Sequence, residues 1–203
     1  MIADELLSPA APRLILASTS PHRRALLARL GLPFECQAPG VEEAALPGEK
    51  PAQRALRLAH SKAAAVAHRQ PGNFVIGSDQ VASLAHAGWS EWLDKPGDRA
   101  TCEAQLAAMS GREVSFHTGV VLLAPGGRSE HVDHTVVRLR ALTAAEIAAY
   151  IDREPAFDCA GGFKCEGLGV TLFDAVATQD PTALIGLPLI WLCQALRVAG
   201  VEV

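Results

Sequence analysis

The chain has 203 residues, enough for one substantial domain or two small lobes without staples. Hydrophobic residues make up 49% and charged ones 20%, which excludes a disordered chain. The formal net charge of -4 speaks against a nonspecific nucleic-acid binder, while a local basic pocket for a small anion stays open.

Residues 1–12 carry two acids and two prolines before the first arginine, the wrong order for a secretory signal. They read as a flexible leader to a single domain over 13–203. No stretch is apolar for long enough to cross a membrane. Five cysteines, with no CxxC pair, argue against a disulfide framework or a structural zinc site. They favour a reducing, cytoplasmic setting, each thiol a small buried hydrophobe.

In chain order, residues 13–17 read as a buried strand. A helix follows over 21–31, with Ser20 as cap, Pro21 at its first position and Gly31 as stop. Residues 34–38 suit a second strand, and Pro39–Glu49 a polar loop. An Ala-rich helix runs over about 52–69, with Lys62 one turn beyond Leu58 and Ala59. "FVIG" over 74–77 reads as a short strand ending at "SDQ". Residues 84–98 read as a hairpin and loop in which Trp89 and Trp92 pack, and 99–109 as a helix. Strands 114–124 and 132–140 pair around "PGGRSE". Thr143 and Glu146 form a capping box. "CAGGFKCEGLGV" is too glycine-rich for a regular helix. A last amphipathic helix covers 187–199. Interleaved strands and helices, with the hairpin near 114–140, imply an α/β protein with a mixed sheet.

"LILASTSPHRRALLARL" passes from strand to small residues to a helix start, where unpaired N–H groups and the helix dipole favour an anion. Ser18 and Ser20 add hydroxyls. Arg23 and Arg24 add guanidinium groups able to grip phosphate. A capped helix with solvated arginines explains the same residues. Asp79, at the end of "VIGSD", suits a divalent cation or a proton from water, or else an Asx-turn. Glu43 could share that cation through hard oxygen ligands, and Lys62 and Lys95 could neutralise a polyphosphate. Each also reads as a surface charge. Glu166, among glycines, could accept hydrogen bonds from a guanine edge, or be a solvated loop acid. His131 and His134 fall on opposite strand faces, so no histidine metal site is expected.

Taken together, "LILASTSPHRRALLARLGLPFEC", "VEE", "LAHSKA", "IGSDQV", "DKP", "EPAFDCAGGFKCEGLG" and "LIGLPLIWLCQAL" resemble the Maf family of nucleotide pyrophosphatases. The likeness runs from Leu14 to about Leu196. "GSDQV" and "CAGGFKCEGLG" look closest to the branch acting on 7-methyl-GTP. Asp94 stands where the family usually has glycine. The resemblance implies a twisted mixed sheet flanked by helices, with two lobes around a nucleotide cleft, similar to inosine-triphosphate pyrophosphatases. It implies cleavage between the α and β phosphates, with Asp79 as proton acceptor and, with Glu43, as holder of Mg2+ or Mn2+. Lys95 would act beside them, and Ser18, Ser20, Arg23 and Lys62 would bind phosphate. His22, Gln80 and Glu166 would set specificity. A homodimer is implied, with a small-molecule nucleotide as substrate and neither nucleic acid nor membrane as partner. The alternatives are a dTTP/UTP pyrophosphatase and a nucleotide-binding regulator of cell division.

Overall fold

The computed structural model describes residues 11–86 and 89–203, with the side chains of 85–91 outside the description. The expected leader therefore lies almost wholly outside the described residues. The elements are β1 (Leu14–Leu16), α1 (Pro21–Ala28), β2 (Phe34–Cys36), α2 (Pro51–Arg69), β3 (Phe74–His86), β4 (Trp89–Leu93) and α3 (Arg99–Met109). They continue as β5 (Glu113–Ala124), β6 (Gly127–Leu139), α4 (Ala144–Arg153), β7 (Phe173–Ala177) and α5 (Leu189–Val198). Short 3-10 turns fill the glycine-rich stretch between α4 and β7.

The sheet is mixed, in the order β2-β1-β3-β5-β6-β7, with β4 pairing β3. β1 runs parallel to both β2 and β3, and the remaining pairs are antiparallel. β3 is the spine. Along one edge it pairs with β5 from Val75 to Leu84. Along the other it meets β1 over Phe74–Ile76 and β4 only from Ala82 onward. Between those two partners, residues 77–81 have no strand beside them. The sheet opens there, and α1 begins just beyond the end of β1. Such a parting of strands is where open α/β sheets take ligands.

Three apolar clusters surround this gap. Leu16, Leu26, Ile76 and Leu192 join α1 and α5 to one face. Ala59, Ala63, Val75 and Val121 join α2 to the other. Leu84, Leu106, Phe116 and Tyr150 build the second lobe with α3 and α4. Gly77 and Gly119 let α2 lie directly on the sheet. A Cβ at Gly77 would overlap the carbonyl oxygen of Ala59, and one at Gly119 that of Ala55.

Several boundaries differ from the sequence reading. β3 does not stop at Gly77 but runs on to His86, 13 residues in all, carried by its ladder to β5. Asp79 is thus in mid-strand at the gap, not at a strand exit. β6 begins at Gly127, so a two-residue turn at Pro125–Gly126 replaces the longer loop. Backbone pairing with β5 extends the strand through a polar stretch that lacks an apolar signal. α1 ends at Ala28, short of Gly31. His131 and His134 do take opposite faces: one ring stacks on Trp191, the other on His117. All five cysteines are free thiols. Only Cys102 is fully buried and Cys36 is exposed, so the buried-hydrophobe reading holds for one of them.

Candidate active site

One cleft of about 500 Å3 lies at the gap, and Ser18, Ser20, His22, Arg23, Glu43, Lys62, Asp79, Gln80, Lys95 and Glu166 all line it. Arg24 does not: it lines a separate surface beside Leu32 and Phe34.

At one end, β1 delivers the chain into α1. Ser20 caps the helix, its Oγ accepting from Arg23 N at 3.4 Å. Ser18 Oγ accepts from Ser20 N at 3.1 Å. Both oxygens are engaged as acceptors, so their O–H groups remain to donate to an anion. Arg23 Nε donates to Gly186 O at 2.9 Å, which anchors the side chain by one nitrogen. Burial pulls its guanidinium down from the usual range, and the charges of Asp79 and Glu43 oppose that pull. An anion in the cleft would do the same.

Lys62 is 6% exposed and sits between two carboxylates. Its Nζ lies 2.5 Å from Asp79 Oδ1 and 2.6 Å from Glu43 Oε1. The glycine-floored contact of α2 with β3 makes that reach possible. Burial works to raise the Glu43 carboxyl, but Lys62, then Lys95 and Arg23, hold it below the ordinary value. Two carboxylate oxygens converging on a bound cation form an all-oxygen donor set. Such a set suits a hard divalent ion, with the ammonium as its stand-in.

Sequence reasoning missed Arg54. It lies on α2 eight residues before Lys62, with Leu58 midway, so four-residue spacing was the available signal. Its Nη2 donates to Glu43 O at 3.1 Å, and its Nη1 lies 3.7 Å from Asp94 Oδ1. Its guanidinium lies 4.4 Å from the Trp92 ring centroid. Arg54 thus binds the Glu43 loop to the lobe that carries Lys95. Trp92 packs against this arginine, and Trp89's side chain lies outside the described residues.

At the other end, the Gln80 amide nitrogen donates at 3.0 Å to Thr118 Oγ1, Ala183 O and Leu184 O. Its carbonyl oxygen is the atom left for a ligand. His22 Nδ1 lies 2.7 Å from Glu166 Oε1. The Glu166 loop hangs from α4: Tyr150 Oη accepts from Lys164 N, and Glu154 Oε2 accepts from Gly169 N. Burial, aided by Asp158, pushes the Cys159 thiol up to about 12, and burial with Glu166 does the same to Cys165. Both are therefore neutral thiols near pH 7.

Fold and site together define an α/β protein with a cleft that is basic and carboxylate-bearing at one end and equipped with acceptors at the other. The chain belongs to the Maf family: the family model described as "Maf-like protein" matches residues 13–199. It is 60% identical over 189 residues to a 7-methyl-GTP pyrophosphatase of Xanthomonas oryzae pv. oryzae, covering 93% of this chain and 97% of that one. A protein of the same name from Xanthomonas axonopodis pv. citri is 56% identical over 192 residues, covering 95% and 99%. Among solved structures, the Staphylococcus aureus Ham1 protein aligns with a TM-score of 0.45 at 12% identity, over 63% of this chain and 71% of that one. No helix among the described residues is long and apolar enough to cross a membrane.

Proposed function

We propose that the protein hydrolyses 7-methyl-GTP to 7-methyl-GMP and pyrophosphate, clearing a modified nucleotide from the pool. The observation that carries this reading is the pairing, within one cleft, of the Asp79–Lys62–Glu43 cluster with Glu166. The names of the relatives above agree with it.

The triphosphate lies along the N-terminus of α1, met by the Ser18 and Ser20 hydroxyls and the Arg23 guanidinium. Lys62 engages only Oδ1 of Asp79, so the other oxygen can take the proton of an attacking water. Lys62, Lys95 and Arg23 offset the negative charge that grows on the phosphates. Asp79 and Glu43 would hold magnesium or manganese, which supplies further charge neutralisation at the phosphates. A 7-methylated guanine is cationic and offers N–H donors, so the Glu166 carboxylate suits it better than a neutral pyrimidine. A cytoplasmic homodimer belongs to the same reading, and light scattering measures the oligomeric state.

The test is pyrophosphate release from 7-methyl-GTP, GTP, dTTP and UTP, each with and without magnesium or manganese. Preference for 7-methyl-GTP is expected. A preference for dTTP or UTP would move the protein to the pyrimidine branch. No turnover of any of them would favour a regulator that only binds nucleotide.

A further inference from the structure

Three side chains on the wall of this cleft bring one donor atom each close together. They come from distant parts of the chain: His22 from α1, and Asp158 and Cys159 from the loop after α4. Cys159 Sγ lies 4.0 Å from His22 Nε2 and 3.6 Å from Asp158 Oδ1. All three donor atoms fall within 4.8 Å of one another. A tetrahedral zinc ion, with ordinary bonds to sulfur, nitrogen and oxygen, sets those pairs about 3.5 Å apart. Small turns of the side chains close the set onto an ion.

A second observation concerns His22 alone. Its Nδ1 lies 2.7 Å from Glu166 Oε1. A carboxylate there holds the proton on Nδ1 and turns the Nε2 lone pair toward Cys159. Metal-binding histidines are oriented by a carboxylate in this way. The donor types differ sharply from those at Asp79 and Glu43. One sulfur and one imidazole nitrogen select a borderline-soft ion, whereas two carboxylates select a hard one.

We infer that His22 Nε2, Cys159 Sγ and Asp158 bind one zinc ion, with Glu166 as a positioning residue, at a site separate from Asp79 and Glu43. Binding expels the Cys159 thiol proton to solvent and draws Asp158 from Lys164, whose Nζ lies 3.7 Å from Oδ1. The fourth position is left to water. An ion there ties His22 and Glu166 to the cleft wall.

Cobalt titration of the full chain, read by absorption, tests this without reference to turnover. The wild-type protein is expected to take up cobalt at this site with a thiolate charge-transfer band and tetrahedral visible bands, both removed by zinc. Cys159→Ser abolishes the charge-transfer band. His22→Gln, on a partly exposed ring, weakens uptake and stands in should Cys159→Ser fail to fold. Glu166→Gln lowers affinity about 10- to 100-fold. Asp79→Asn leaves the charge-transfer and tetrahedral bands unchanged. A charge-transfer band that survives Cys159→Ser, or a wild-type spectrum of oxygen ligands alone, overturns the proposal.

Discussion

The two ends of the cleft are built differently. At the phosphate end Arg23, Lys62 and Asp79 stand on α1, α2 and β3, and Ser20 caps α1, while Glu43 and Lys95 reach in from loops. Arg23 is tied to Gly186 O, and Lys62 is buried where α2 rests on glycines. At the base end His22 pairs with Glu166, and Cys159 with Asp158, so side chains hold side chains over a loop of 3-10 turns. Chemistry at the first end is thus inseparable from sheet packing. Recognition at the second can change without disturbing the fold.

The largest expected effect separates chemistry from binding at the rigid end. Asp79→Asn should cut turnover about 1000-fold and leave nucleotide affinity largely intact, as steady-state kinetics and equilibrium binding would measure. Near-normal turnover would remove Asp79 from the proton step. Gly77→Ala tests the packing beneath it. The new Cβ meets backbone of α2 at Ala59 and Ala63, which cannot yield as a flexible side chain would. Urea unfolding should register a loss of about 3 kcal/mol, and turnover should fall as Lys62 is carried outward. Gly126→Ala, facing open space at a turn, should change neither.

The base end should respond in the opposite sense. Glu166→Gln should lower kcat/KM for 7-methyl-GTP about 10- to 100-fold, the worth of a hydrogen bond to a charged partner. Hydrolysis of GTP, which lacks the fixed positive charge, should fall less, and stability should move by no more than about 0.5 kcal/mol. A large stability loss instead would show the base end to be as fold-bound as the phosphate end.

The same contrast decides what was legible in the sequence. The strand–serine–helix entry at 14–28 was readable because cap, proline and apolar spacing agree locally. The ten residues now lining one cleft were nameable from motif order. Their meeting in one cleft followed from the family resemblance and not from local pattern, since Asp79, Lys62 and Glu43 converge through the packing of α2 on Gly77 and Gly119. Asp79 looked like a strand terminus because "GSDQ" carries turn residues. The ladder to β5 overrides that local preference across ten register pairs. Arg24 looked equivalent to Arg23, but adjacent helical positions point about 100° apart and only one faces the cleft. The supports of the Glu166 loop, Tyr150 and Glu154, had no local signature, because their partners are backbone N–H groups beyond α4.

The smallest effect isolates a single charge at the phosphate end. Glu43 keeps its place through its backbone, since Arg54 holds its carbonyl oxygen. Glu43→Gln should therefore leave the loop where it is and remove only the ion pair with Lys62. Glu43 is held below its ordinary value in the folded protein, with burial opposing and Lys62 prevailing. A carboxyl lowered by folding adds stability above its unfolded value and loses it as pH falls through the folded one. The carboxylate is half exposed, so solvent screening limits the gain to about 0.5 kcal/mol near pH 7. Unfolding curves of wild type and Glu43→Gln should differ by that amount at neutral pH and converge as the solution is made acidic, below the usual carboxylate range. A gap that stays constant through that range would mean that the Glu43 charge adds nothing to folding. The buried Asp79 carboxylate would then be the sole partner that holds the Lys62 ammonium in the cleft.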